Sequence, residues 1–106
     1  MDGNQQREEA MGTKTTATKV RASEVLGKEK VTELAELLGY LAARWSDEAE
    51  YEDFSEYEAT FSKAAGSPAR LRQRPFSAWF VMDGYAITMT LDRRKGLIRS
   101  TAVKVN

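Results

Sequence analysis

The chain contains no cysteine and no histidine. The first absence rules out disulfides, thiolate metal sites and a cysteine nucleophile. The second removes the commonest general base together with the commonest metal ligand. Proline is scarce, at two residues. No run approaches the roughly 18 apolar residues of a membrane span. The first 19 residues lack the apolar stretch of a secretory signal, so a cytoplasmic location and no membrane partner are expected. Neither GxSxG nor SxxK occurs, and a serine or threonine nucleophile would have to use Lys, Asp, Glu or Tyr as its base. The Asp-x-Asp-x-Asn-Gly order of a calcium loop is missing too. A protein that is not an enzyme, with no cofactor and no metal, is the expectation.

What the chain has instead is charge sorted by segment. Over 106 residues the net charge is zero, yet residues 23–66 hold eleven carboxylates against four bases. Residues 67–106 hold two carboxylates against eight bases, and the first 22 hold three against four. Such asymmetry points to charged partners, or to self-association through opposite ends.

Residues 1–19 read as a disordered arm. Their apolar content beyond Met1 is Ala10, Met11 and Ala17, too little to offset an ordering cost of about 1–2 kcal/mol per residue. Residues 20–106 read as one α+β domain. Val31, Leu34, Ala35, Leu38, Leu41, Ala42 and Trp45 form a stripe at helical spacing, widened by Leu37 and Tyr40. It predicts a helix over about residues 28–44, with Ser23 capping a short turn before it. A second stripe, Phe54, Tyr57, Phe61, Ala64 and Ala65, predicts a helix over at least residues 54–65. Asp53 and Glu56 stand at capping-box spacing, and Gly66 suits the left-handed position after the helix. Asp47 and its neighbours would favour the positive N-terminus if this helix began earlier.

After Pro68 the period becomes two. Phe76, Ala78, Phe80 and Met82 alternate with Ser77, Trp79 and Val81, and Asp83-Gly84 is a two-residue hairpin signal. That turn pairs Met82 with Tyr85, Phe80 with Ile87, Ala78 with Met89 and Phe76 with Leu91. The next turn reads as a three-residue loop, Arg94-Lys95-Gly96, with a bulge. It would pair Leu91 with Arg99, Met89 with Thr101, Ile87 with Val103 and Tyr85 with Val105. A four-residue loop would instead place Lys104 opposite Tyr85 and bury Ile98. The expected fold is ααβββ: the arm, then two helices packed on one face of a three-stranded antiparallel meander.

Three candidate contact sets follow. The acidic set Asp47, Glu48, Glu50, Glu52, Asp53, Glu56 and Glu58 is dense enough to occupy a basic site on a protein partner; otherwise it is a solvated helix face and helix start. Trp79 lies on the open face of the sheet, as a contact residue or covered by the arm or a second copy. The basic set Arg70, Arg72, Arg74, Arg93, Arg94, Lys95, Arg99 and Lys104 could neutralise phosphates of a nucleic acid, or pair with the acidic helices. The leading expectation is a small non-catalytic regulatory protein that binds another macromolecule, first of all a protein. It would use first the acidic helical surface, because five carboxylates within residues 46–53 repel one another and must be tolerated for some reason, and second the open sheet face. The alternative is a nucleic-acid-binding module that uses the basic loops and the arm.

Overall fold

The computed structural model describes residues 19–48, 53–92 and 94–105. In chain order the elements are β1 (Lys19–Arg21), α1 (Ala22–Leu26), α2 (Lys28–Glu48), α3 (Phe54–Ala65), β2 (Ala69–Gln73), β3 (Phe76–Met82), β4 (Tyr85–Asp92) and β5 (Leu97–Lys104). The α+β class agrees with the sequence. The sheet does not stop at three strands: it has five, all antiparallel, in the order β1-β5-β4-β3-β2.

Both added strands lie at edges. β2 follows the alternation of its sequence: Ala69 and Leu71 face the core, while Arg70 and Arg72 point away. It joins β3 through the turn Arg74-Pro75, whose peptide bond is cis. β1 is three residues long and pairs Val20 with Ala102 on β5. Lys19, read as the end of the arm, is therefore the first residue of a strand, and the rest of that arm lies outside the described residues.

The helices cover one face of the sheet, as expected. α1 is entered directly from β1, so Arg21 occupies the cap position and makes no side-chain cap; Ser23 sits inside the helix instead of capping it. Gly27, at φ 91°, breaks the chain between α1 and α2. α2 runs one turn past the expected end because Trp45 continues its apolar stripe. The indole packs edge-on against Phe54 at 4.9 Å and Tyr57 at 5.6 Å. Tyr40 departs from that stripe: it is 57% exposed, and its hydroxyl accepts from Arg44. α3 starts at its Asp53 cap and stops at Gly66, whose φ of 83° is the left-handed conformation expected there. Lys30 of α2 donates to the Ala64 carbonyl, which places a cation at the negative end of α3.

The core between the layers is built on Leu34, Leu38, Phe61, Phe76, Phe80, Ile87 and Met89, all fully buried. Burying side chains of this size contributes about 1.5–3 kcal/mol each. The β3–β4 register matches the turn prediction: Met82 opposes Tyr85, Phe80 opposes Ile87 and Ala78 opposes Met89.

The β4–β5 register does not match the bulged three-residue loop. Leu91 opposes Ile98, Met89 opposes Ser100, Ile87 opposes Ala102 and Tyr85 opposes Lys104. Two local causes account for the four-residue loop. The Asp92 carboxylate accepts the amides of Arg94 at 3.1 Å and Lys95 at 3.3 Å, while Gly96, at φ 65°, donates to the Asp92 carbonyl at 2.8 Å. A tertiary cause adds to them. Ala102 is fully buried where α1 and β1 close over β5, a place that suits a small side chain better than Val103.

Candidate functional site

That one-residue slip exchanges the two faces of β5. Ile98, Ser100, Ala102 and Lys104, expected on the open face, belong to the helix-covered side. Arg99, Thr101 and Val103 take their place. The two unexpected edge strands change the open face as well, because β1 brings Lys19 and Arg21 to it, and β2 brings Arg70 and Arg72.

Reading across the five strands gives ordered rows of side chains. The central row is Arg70, Trp79, Thr88, Thr101 and Arg21, each residue paired with the next across a strand boundary. The neighbouring row is Arg72, Ser77, Thr90 and Arg99. On the other side lie Val81, Ala86, Val103 and Lys19. Four strand spacings of about 4.8 Å separate the arginines that end the central row, roughly 19 Å in all. Trp79 is 47% exposed and Val81 39%.

Five cations stand on this face among the described residues, against one carboxylate, Asp92. Asp92 is already engaged with the loop amides, and its other oxygen lies 3.9 Å from Arg99. The Arg99 side chain is 79% exposed, so this ion pair is a weak surface contact that leaves the guanidinium open to other anions.

Two hollows adjoin the rows. A shallow pocket of about 420 Å³ beside Trp79 is lined by Arg70, Arg72, Pro75, Ser77, Thr88 and Thr90. A larger cleft of about 850 Å³ at the end of the sheet shares Pro75 and Thr90 with it and reaches Trp45, Arg74, Arg94 and Arg99. The structure thus brings Arg70, Arg72, Arg74, Arg94 and Arg99 of the basic set to one continuous region. Lys95 is exposed in the β4–β5 loop beside it, and Arg93 lies outside the described residues.

The acidic set does not form one helix face. Asp47 and Glu48 are the last residues of α2, at the negative end of a helix and not at the start of one, and Glu48 lies 3.7 Å from Arg44. Glu50 and Glu52 lie outside the described residues. Asp53 is the α3 cap: its carboxylate accepts the Ser55 hydroxyl at 2.8 Å and the Ser55 amide at 3.0 Å. Those two hydrogen bonds, the hydroxyl first, hold its carboxyl below the ordinary aspartate range. Glu56 is exposed on the first turn of α3, and its amide donates to the Asp53 carbonyl.

Sequence reasoning missed Lys19, Arg21, Thr101 and Val103 as members of the face, and named Arg99 in the basic set while its register put that residue on the helix-covered side. β2 was legible in the alternation of Ala69-Arg70-Leu71-Arg72. β1 was not, since three residues around Val20 carry too little pattern to separate a strand from a tail.

Among the described residues no group of three or more acidic side chains is placed to hold a metal ion, and no helix is long and apolar enough to cross a membrane. No family model, no curated protein and no solved structure matches this chain.

Proposed function

We propose that this protein is a non-catalytic binding domain that holds another macromolecule on the open face of its sheet, with Trp79 as the central contact. One observation carries the reading. An indole that is 47% exposed stands in a row of side chains ended by an arginine on each edge strand, on the side opposite the helices. Tryptophan and arginine are the residues most enriched where binding energy concentrates. The chemistry of the face also favours binding over catalysis. It presents guanidinium groups, hydroxyls and an indole, and its carboxylate, Asp92, is occupied by backbone amides.

Of the two surfaces expected from the sequence, the sheet face has the stronger support. The described acidic residues are divided between the end of α2 and the start of α3, and Asp53 is committed to capping. The deciding experiment captures partners on the immobilised full-length protein from an extract of its source cells. Trp79→Ala, with an unchanged melting curve, should lose the bound material, and charge reversal at Glu48, Glu50 and Glu52 should keep it. The opposite outcome would move the interface to the helices.

A further inference from the structure

Resting on that reading, we infer that the occupant of the sheet face is a single-stranded nucleic acid, its bases over Trp79 and the central hydroxyls and its phosphates on the cations of the two edges. The first ground is the sign and placement of charge. Lys19 and Arg21 line one edge of the face, and Arg70 and Arg72 line the other. Between them the central row is uncharged: Trp79, Thr88 and Thr101. A cationic rim around a neutral aromatic and hydroxylic centre complements a polymer that carries charge on its backbone and flat, hydrogen-bonding groups on its side. Single-strand binders combine these two elements, a basic track and an aromatic platform.

The same layout fits the competing occupants less well. An acidic peptide carries its charge at side-chain tips and its unmet hydrogen bonds on its backbone, so it would seek a free strand edge. At β2 that edge is taken, because Glu58 accepts the Leu71 amide and Ser62 accepts the Ala69 amide. A duplex keeps its bases stacked inside and would meet the rim cations only, which leaves Trp79 without a role. The pocket of about 420 Å³ between Trp79, Pro75 and Arg72 gives an unstacked base a place beside the indole. The cleft that shares Pro75 and Thr90 with it carries the basic surface on to Arg74 and Arg94.

The test uses the full-length protein and fluorescence anisotropy across a salt series. The probes are fluorescein-labelled oligo-dT and oligo-U of roughly 15 nucleotides, near the upper site size of sheet-based single-strand binders. A matched duplex and labelled poly-glutamate serve as comparisons. Single strands should bind more tightly than the duplex, and oligo-dT against oligo-U separates DNA from RNA as the source. Trp79→Ala should weaken binding about 5- to 150-fold, the range for loss of one stacked base. Trp79→Phe should restore most of it. Arg21→Ala and Arg70→Ala, both exposed positions, should each flatten the plot of log K against log salt by about 0.7, one phosphate contact on a single strand.

Absence of single-strand binding at low salt would overturn the inference, as would binding that is indifferent to Trp79 and equal for the duplex. If poly-glutamate alone bound, and bound through Trp79, the sheet face would stand as the interface and the nucleic acid would be wrong. If no probe bound, and capture from extract also ignored Trp79→Ala, both readings would fall together.

Discussion

The carboxylate of Glu58, on α3, accepts the backbone amide of Leu71, on β2, at 2.9 Å. One turn later Ser62 does the same for Ala69: its hydroxyl accepts the amide at 2.8 Å. Two amides of an edge strand are thereby paired by side chains of the helix lying beside it. An open edge invites pairing with another chain, and covering it is one of the standard protections. The helix that follows the acidic segment therefore closes the sheet at this side.

Glu58→Ala should lower stability by about 1–3 kcal/mol, because it leaves a half-buried amide without its acceptor. Glu56→Ala, on the exposed side of the same helix, should stay within about 0.5 kcal/mol. Urea melts of the two variants make the comparison. Light scattering of Glu58→Ala against concentration would show whether the opened edge also drives association.

Phe80→Ala and Leu38→Ala should cost about 3–5 and 2–5 kcal/mol respectively, through lost burial and the cavities left behind. Both side chains are fully buried. Trp79→Ala should leave the melting curve nearly unchanged, because its indole stands on the uncovered face. A collapse from Trp79→Ala together with tolerance of Phe80→Ala would mean that β3 shows the opposite face to the helices.

The β4–β5 register makes a sharp mutational contrast. Ala102→Leu should destabilise by about 1–3 kcal/mol through overpacking against α1 and β1. Val103→Leu, one residue on, should be tolerated, since it points to the open face beside Lys19 and Ala86. The two outcomes would be reversed under a bulged three-residue loop. Thermal melts of both variants decide between the registers.

Asp53 links the α3 cap to acidity. Its folded pKa lies below the ordinary aspartate value of about 3.9. Its contribution is therefore fully present above that range and is lost as pH falls through the lower, folded value. Asp53→Asn keeps an oxygen for the Ser55 amide but cannot titrate. The wild-type melting temperature, relative to Asp53→Asn, should decline as pH drops below the ordinary aspartate range and stay level above it. A difference that does not change with pH would mean the cap carries no charge-dependent part.

Several elements were readable from neighbours in the chain alone. The α3 boundaries followed from Asp53 and Gly66, whose roles as cap and left-handed stop depend only on local backbone geometry. The β3–β4 hairpin followed from Asp83-Gly84, where turn chemistry and apolar alternation specify the same register. The charge division between residues 23–66 and 67–106 was equally plain. The extent of α2 and the membership of the open face were decided elsewhere. α2 continues to Glu48 because Trp45 finds Phe54 and Tyr57, residues that belong to the next helix. The β5 register was weakly specified by pattern, since Val103 and Val105 argued for one face and Ile98 for the other. Asp92 and the closely covered site at Ala102 settled it. β1 exists only through β5, because three residues hold no periodicity of their own and are ordered by a partner eighty or more positions away. A two-residue turn and a cap are short-range devices that local sequence can specify. A face assembled from both edges of a sheet is a long-range property, so the row from Arg70 through Trp79 to Arg21 came into being only when the tertiary structure paired the strands.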